Sequence, residues 1–185
     1  LMKIKAVIFD LDGVIVDTVP AHYVAWKSIA DELGIPFGKK ENEQLKGVSR
    51  IKSMEKILAL GSMTKTKEEI LALTDKKNKI YVNIISQMTP DDILPGVVYF
   101  LNLLEKHGLP KAIGSASKNT PTILQAVGLS GRFDCIVDGN SVARSKPDPQ
   151  VFLKGAEGMG MSPDQCVVFE DAISGVKAAK AGGMY

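Results

Sequence analysis

The feature that most constrains the fold is an apolar run that ends abruptly in two carboxylates. Residues 7–9 form the end of a run typical of a strand buried on both faces of a parallel sheet, and Asp10, Asp12 and Gly13 follow. Side chains two residues apart point the same way, so Asp10 and Asp12 would face one site if the strand continued to Asp12. A hard cation such as Mg²⁺ would relieve their repulsion. The alternative is a solvated turn, where Asp and Gly are common.

Composition narrows the class of protein. A chain of 185 residues with 45% hydrophobic and 24% charged side chains is typical of a globular protein with one core, or with a core and a small second domain. The net charge is +2, and no basic run is interleaved with aromatics, which argues against nucleic-acid binding. No apolar run approaches the ~20 residues that span a bilayer, and we expect no signal peptide. Cys135 and Cys166 lie in apolar runs, which favours free thiols and a cytoplasmic protein.

Between residues 19 and 88 the pattern changes to helical periodicity with no strand. The third helix begins after Ser49 as its N-cap, and the fourth carries Lys77 in its apolar seam. The predicted helices cover residues 21–33, 41–46, 50–60 and 67–88. Such a segment predicts a small helical bundle.

Strands and helices alternate after residue 90. The predicted strands cover residues 111–115, 134–137 and 166–169, and the predicted helices cover 97–107, 120–127, 149–157 and 173–181. This alternation predicts a parallel sheet with right-handed crossovers. We therefore expect an α/β core formed by residues 1–18 and 89–185, with residues 19–88 inserted as a helical cap. A further strand is expected to begin near Met184 and Tyr185, so we expect a C-terminal part of the core to be missing.

Polar residues follow each predicted strand, where open parallel sheets bind their ligands. Ser115 follows the second strand, Lys146 follows the third after a loop, and Glu170 and Asp171 follow the fourth. Each has an ordinary alternative, because Ser115 fits a turn, Lys146 fits a surface position, and the acidic pair fits an N-cap. Only their joint position at successive strand ends favours a shared site.

Together these residues fit phosphoryl transfer through a covalent intermediate. Asp10 would attack phosphorus, and Asp12 would act as general acid and base with a raised pKa in the closed state. Ser115 and Lys146 would hold phosphate oxygens. Mg²⁺ would be held by Asp10, Glu170, Asp171 and the backbone carbonyl of Asp12.

Four ordered motifs resemble those of the haloacid dehalogenase superfamily of phosphohydrolases and phosphomutases. They are Asp10-Leu11-Asp12-Gly13-Val14, Ser115, Lys146-Pro147-Asp148-Pro149 and Glu170-Asp171. The resemblance spans nearly the whole chain. It implies a Rossmann-like core in which the first Asp is the nucleophile and the second is the acid/base.

The predicted cap narrows the resemblance to the β-phosphoglucomutase-like subgroup. Three parts of the sequence carry this resemblance: residues 45–50 together with Ser53, residues 22–27, which closely follow Asp17-Thr18, and residues 115–119. The resemblance implies a small phosphorylated sugar as substrate, converted between β-glucose 1-phosphate and glucose 6-phosphate through a bisphosphate. It also implies a substrate-binding set of His22, Gly47, Val48, Ser49, Arg50, Lys77, Ala116, Ser117, Lys118 and Asn119. We expect a monomer, and we assign no role to residues 138–140.

Two other functions stay open at this point. A sugar-phosphate phosphatase would use the same residues, with water removing the phosphoryl group from Asp10. A non-enzymatic receiver domain also uses Asp, Mg²⁺, a hydroxyl and a Lys on a doubly wound sheet. The position of Asp10 on the first strand and the inserted helices argue against the receiver.

Overall fold

The computed structural model describes residues 4–185, which form an α/β fold. The strands are β1 (Ala6–Phe9), β2 (Lys111–Gly114), β3 (Cys135–Val137) and β4 (Cys166–Phe169). The helices are α1 (Val19–Glu32), α2 (Lys39–Glu43), α3 (Arg50–Leu60), α4 (Lys67–Ile85), α5 (Val97–Lys106), α6 (Thr120–Ala126), α7 (Gln150–Gly158) and α8 (Ile173–Ala181). Short 3₁₀ turns cover Pro90–Asp92 and Pro163–Gln165.

The order of the strands explains why distant motifs meet. The sheet is parallel with the order β3-β2-β1-β4, so the chain builds outward from β1 on one side and then returns to its other side with β4. The strand order therefore reverses beside β1, and ligands bind at the carboxyl ends of strands next to such a reversal. Phe9 pairs with Phe169, which places Asp10 and Glu170 on adjacent strand ends.

Both faces of the sheet are covered by helices, as the uninterrupted apolar run in β1 requires. Val7 and Phe9 point to the face packed by α5 and α6, through Leu101, Leu104, Ile123 and Leu124. Ala6 and Ile8 point to the face packed by α7 and α8, through Val151, Phe152, Ala156, Ala178 and Ala179. The sequence therefore predicts the class of the core correctly.

Helices α1 to α4 lie between β1 and β2 in the chain and have an apolar cluster of their own. It is built from Trp26, Ile29, Ala30, Ile35, Phe37, Leu45, Met54, Ile57 and Leu58. Ala21, Ala25, Tyr81 and Ile85 instead join the cluster on the sheet, so α1 and α4 also contact the core. The exact domain boundaries at residues 18 and 89 stay a prediction.

Most differences from the predicted elements lie at their ends. The second helix is Lys39–Glu43 rather than 41–46, and the residues up to Gly47 form turns. Ser49 is the N-cap of α3 as expected, although its side chain makes no capping hydrogen bond. Strand β1 ends at Phe9 and does not continue to Asp12. Tyr185 pairs with β4 through Cys166 O and Val168 N, where a further strand is predicted to begin.

The structure also bears on the state of the two cysteines and on membrane-spanning helices. Cys135 and Cys166 are both free thiols, Cys166 buried and Cys135 partly exposed. Among the helices formed by residues 4–185, none has the length and apolar character needed to cross a bilayer.

The apolar cluster of the cap predicts a large difference between two positions of α3. Ile57 is fully buried, whereas Leu60 is 50% exposed. We expect Ile57→Ala to lower the free energy of unfolding by about 2–5 kcal/mol, because the cavity it leaves adds to the lost apolar burial. Leu60→Ala on the same helix should cost much less. Urea unfolding measures both, and equal losses would contradict the packing described.

Candidate active site

A cavity of about 1000 Å³ lies between the carboxyl ends of the strands and the helices inserted after β1. Of the predicted site residues, only Ser115 and Glu170 do not line it, and both have buried side chains. The predicted residues that line the cavity are Asp10, Asp12, His22, Gly47, Val48, Ser49, Arg50, Lys77, Ala116, Ser117, Lys118, Asn119, Lys146 and Asp171. The structure thus brings together residues spread over most of the chain.

Lys146 joins the ends of β1 and β4 from the loop after β3. Its Nζ lies 3.0 Å from Asp10 Oδ1 and 2.7 Å from Glu170 Oε2, and it also lies 4.7 Å from the centroid of the Phe152 ring. Its side chain is only 1% exposed, so the alternative of a surface lysine is wrong. The peptide bond between Lys146 and Pro147 is cis.

Burial and neighbouring charges together set the pKa values of Asp10 and Lys146. Burial raises the pKa of Asp10 to about 8, because the effects of Glu170 and Asp12 add to burial while Lys146 opposes it. Burial alone would lower the pKa of Lys146, but the two neighbouring carboxylates raise it above its ordinary value. Lys146 therefore stays charged, and a second cation would hold Asp10 ionised.

The acidic cluster fits a divalent cation. Asp10, Glu170 and Asp171 each offer an oxygen, and these oxygens all lie within 4.8 Å of one another. Burial raises the pKa of Asp171, with Glu170 adding to the rise and Lys46 opposing it. Three converging carboxylates with one buried lysine leave excess negative charge, and hard oxygen ligands are those that Mg²⁺ takes.

Two glycines allow these carboxylates to approach the backbone. Gly13 has a φ of +84°, and a Cβ there would overlap the Asp171 carboxylate. A Cβ at Gly175 would overlap the carboxylate of Glu170, so the first turn of α8 packs directly on that side chain. Glu170 Oε1 accepts hydrogen bonds from the N–H groups of Asp171 and Ala172, and Ala172 is the N-cap of α8. The alternative interpretation of the acidic pair as the N-cap is therefore wrong, because the pair precedes the N-cap and its carboxylates face the site.

Asp12 faces the cap rather than the acidic cluster, because β1 has ended before it. Its Oδ1 accepts a short hydrogen bond from Thr18 Oγ1, lies 3.6 Å from His22 Nε2, and is 3.4 Å from the Tyr81 hydroxyl. Lys77 Nζ lies 3.0 Å from His22 Nδ1. His22 Nε2 faces the Asp12 carboxylate, which can only accept when ionised, so Nε2 carries the proton and Nδ1 accepts from Lys77.

The predicted raised pKa of Asp12 is wrong in this structure. Burial acts to raise it, but the hydrogen bond and charge of His22, the Thr18 hydroxyl and the charge of Lys77 together lower it. Burial and Arg50 in turn lower the pKa of Lys77 to about 7. Burial and Lys77 lower the pKa of His22. Asp12 is thus ionised and ready to accept a proton.

Sequence reasoning missed several residues of this network. Tyr81 is 1% exposed, its ring stacks on His22 with centroids 4.2 Å apart, and Lys77 Nζ lies 4.4 Å from its centroid. The available signal is its spacing, since Tyr81 follows Lys77 by four residues and so shares its face of α4. Lys46, which lies 3.4 Å from Asp171 Oδ2, belongs to the segment 45–50 that carries the resemblance, but it was not predicted as a site residue.

The loop of residues Ser115–Asn119, which we call the anion loop, is built around its own hydroxyl groups. Ser115 Oγ accepts from Ser117 N, and Ser117 Oγ accepts from Asn119 N. Within residues 4–185 the N–H groups of Ala116 and Lys118 have no hydrogen-bond acceptor. N–H groups that have no acceptor and lie just before a helix are well placed to bind an anion.

Residues of the cap face the anion loop across the cavity. Asn119 Nδ2 donates to Asn78 Oδ1 on α4 at 3.0 Å. Arg50 also lines the cavity, and none of the hydrogen bonds or ion pairs within residues 4–185 involves its guanidinium group. Its fork of donors is therefore available to an anionic ligand.

The fold and the site together define a class of enzyme that transfers phosphoryl groups at the carboxyl end of a parallel sheet beneath a helical cap. The comparisons with known proteins agree. The chain belongs to the haloacid dehalogenase-like hydrolase family, whose model matches residues 4–183. The resemblance drawn from the four motifs is confirmed.

Individual relatives include both a mutase and a phosphatase. The chain is 44% identical to β-phosphoglucomutase of Bacillus subtilis over 183 residues, which is 98% of this chain and 81% of the relative. It is 31% identical to a fructose-1-phosphate phosphatase of Escherichia coli over 98% of this chain and 94% of the relative. The crystal structure of β-phosphoglucomutase from Clostridium difficile superposes with a TM-score of 0.94 at 39% identity, covering 98% of this chain and 82% of that one.

The acidic cluster predicts a metal affinity that depends on Asp171. We expect Asp171→Asn to weaken Mg²⁺ binding by about tenfold or more, since even changes outside the ligand shell cost about tenfold to a hundredfold. Asp148→Asn is the matched control, because Asp148 lines the same cavity but pairs with Arg144 at 3.1 Å. Calorimetric titration measures both affinities. Equal affinities in the two variants would remove Asp171 from the metal site.

Proposed function

We propose that this protein catalyses Mg²⁺-dependent phosphoryl transfer through an aspartyl-phosphate on Asp10. The reaction proposed is the interconversion of β-glucose 1-phosphate and glucose 6-phosphate. The observation that carries the proposal is the buried bridge from Lys146 to Asp10 and Glu170, which lies at the edge of a cavity covered by the cap. The 44% identity to a β-phosphoglucomutase supports the choice of reaction.

Asp10 is the proposed nucleophile because it combines burial with a fixed position. Lys146 orients its carboxylate, and the same ammonium offsets the charge that an incoming phosphate brings. Asp10, Glu170, Asp171 and the carbonyl of Asp12 would hold Mg²⁺. When bound, the ion neutralises phosphate oxygens and keeps Asp10 ionised.

Asp12 is the proposed acid and base, and its low pKa sets the order of events. A sugar hydroxyl attacks the phosphoryl group on Asp10, the bond between phosphorus and the Asp10 oxygen breaks, and the ionised Asp12 takes the proton of that hydroxyl. In the reverse transfer Asp10 attacks the other phosphate of the bisphosphate, the phosphorus–oxygen bond to the sugar breaks, and Asp12 returns the proton to the leaving oxygen. The cycle therefore needs no net proton.

A substrate with phosphate at both ends requires a second anion site. Arg50 from the cap and Ser117, Lys118 and Asn119 from the anion loop line the same cavity and are proposed to hold the phosphate that is not reacting. Gly47, Val48 and Ser49 place backbone groups at the cavity wall, where the sugar ring would lie. Ala116 contributes an N–H group. We retain a monomer and a cytoplasmic location as predictions.

A phosphatase of the same family is the second candidate, and the 31% identity to a fructose-1-phosphate phosphatase supports it. The contacts of Asp12 favour the mutase. Its partners His22 and Tyr81 come from the cap helices α1 and α4, so the acid/base group is complete only when the cap covers the site. A covered site excludes the water that a phosphatase needs.

The proposed nucleophile predicts a loss of turnover from a single substitution. Asp10→Asn should reduce the rate by roughly 10⁴-fold or more, the order seen when a nucleophile is removed. Asp31→Asn, a change at an exposed surface ion pair with Lys27, should leave the rate unchanged. The assay uses β-glucose 1-phosphate, Mg²⁺ and a trace of sugar bisphosphate, followed by ³¹P NMR. Formation of glucose 6-phosphate supports the mutase, whereas stoichiometric release of inorganic phosphate rejects it.

Tyr81 is predicted to support catalysis through its ring rather than its hydroxyl. Tyr81→Phe keeps the ring against His22 and removes the hydroxyl, which lies 3.4 Å from Asp12 Oδ1 and also interacts with Thr18 and Ser117. Its kcat/KM should fall by no more than about threefold. Tyr81→Leu should lose about tenfold or more, since a buried cation–π contact is worth about 2 kcal/mol. Equal losses in the two variants would assign the role to the hydroxyl, and urea unfolding checks that both are folded.

A further inference from the structure

The turn of residues 138–141, at the start of the loop after β3, contacts the anion loop and has no part in the proposed chemistry. We infer that Gly139 and Asn140 are positioning residues, which hold the anion loop in the conformation that binds the phosphate of the substrate. The inference rests on the proposed function, because it takes the anion loop as a phosphate site. We call residues Asp138–Ser141 the supporting turn.

The supporting turn holds two successive carbonyl groups of the anion loop. Gly139 N donates to Ser117 O at 3.2 Å, and Asn140 Nδ2 donates to Lys118 O at 3.0 Å. Ser117 O also accepts from Thr120 Oγ1, the first residue of α6. The peptide groups on either side of Lys118 are thus fixed through their oxygens.

Gly139 brings the two loops closer than any other residue would allow. A Cβ at this position would overlap the carbonyl oxygen of Ala116, and it would lie 3.0 Å from Lys118 Cγ and 3.1 Å from Lys118 N. The obstructing atoms belong mainly to backbone, so a larger residue must displace the anion loop itself. Gly139 also lines the cavity. The absence of a side chain is therefore a requirement of the contact.

Asp138 keeps the supporting turn rigid. It is 7% exposed, and its Oδ1 accepts from Asn140 N at 2.9 Å and from Ser141 Oγ at 3.1 Å. Its Oδ2 lies 3.3 Å from Asn140 Nδ2, which is the group that also reaches Lys118 O. Because the turn directly follows β3, it ties the anion loop to the sheet.

This arrangement has a consequence for the reaction. The interaction with a phosphate that is not reacting is the same in the bound substrate and in the transition state, so weakening it raises KM and leaves kcat nearly unchanged. A substitution that only destabilised the fold would instead lower the fraction of active protein, which reduces the apparent kcat at constant KM. The two roles are therefore separable by steady-state kinetics.

The first test replaces Gly139. Gly139→Ala should raise KM for the sugar phosphate by about fivefold to tenfold, the effect of losing one well-aligned hydrogen bond. It should weaken inhibition by inorganic phosphate by a similar factor, with kcat within about twofold. Gly155→Ala is the matched control, because a Cβ at Gly155 meets its nearest neighbour at 3.5 Å, an ordinary contact. That control should leave both constants unchanged.

The second test separates Asn140 from the rest of the supporting turn. Asn140→Ala removes the bond to Lys118 O, whereas Ser141→Ala removes a bond to Asp138 without touching the anion loop. Asn140 is exposed, so we expect a smaller rise in KM of about threefold. Ser141→Ala should leave KM unchanged. Equal behaviour of the two variants would overturn the role of Asn140.

Lys118→Ala distinguishes failure of this inference from failure of the proposed function. If Lys118→Ala leaves phosphate inhibition unchanged, the second anion site of the proposed function is rejected, and Asp10→Asn remains the separate test of its phosphoryl transfer. If Lys118→Ala weakens inhibition while Gly139→Ala and Asn140→Ala do not, only the positioning role is rejected. A Gly139→Ala variant whose apparent kcat falls while its KM stays unchanged would also reject the positioning role.

Discussion

The buried ammonium of Lys146 between two carboxylates is the interaction on which the rest of the site depends. Removing three charges from water is costly unless they are paired, and breaking such a pair leaves an uncompensated buried charge. Asp10, Glu170 and Lys146 come from the ends of three different strands or the loops that follow them, so the sheet order has to bring these ends together. The position of β4 beside β1 meets that requirement. The cis peptide bond at Pro147 belongs to the loop that delivers the lysine.

The two aspartates of the first motif differ because their neighbours come from different parts of the fold. Asp10 has partners from the core, and burial raises its pKa. Asp12 lies two residues further on, beyond the end of β1, where Thr18, His22 and Tyr81 surround it and its pKa is lowered. Environments that separate the pKa values of two carboxyl groups in this way allow one group to act as nucleophile and the other as acid/base.

The sequence predicts the core well because its signals are local. A strand buried on both faces, helices ended by glycines and polar residues at strand ends all depend on short windows, and each has its counterpart in the structure. The network around Asp12 was harder to predict. Tyr81 and Lys77 meet His22 across more than fifty residues of chain. The resulting pKa of Asp12 depends on burial, on the charges of His22 and Lys77 and on the Thr18 hydroxyl, and spacing in the sequence does not give their distances. Even β1 ended earlier than the simplest pattern implied, and this turned Asp12 toward the cap.

The division between core and cap bears on the choice between mutase and phosphatase. Asp10, Glu170 and Lys146 pair with one another, and all three come from outside the segment between β1 and β2. The partners of Asp12 are in the segment between β1 and β2, and Asn78 and Lys46 of the same segment contact the anion loop and Asp171. Residues of this one segment therefore contact the base, the proposed second phosphate site and a carboxylate of the acidic cluster. A ligand with a phosphate at each end can contact all three of these groups at once, whereas a water molecule cannot.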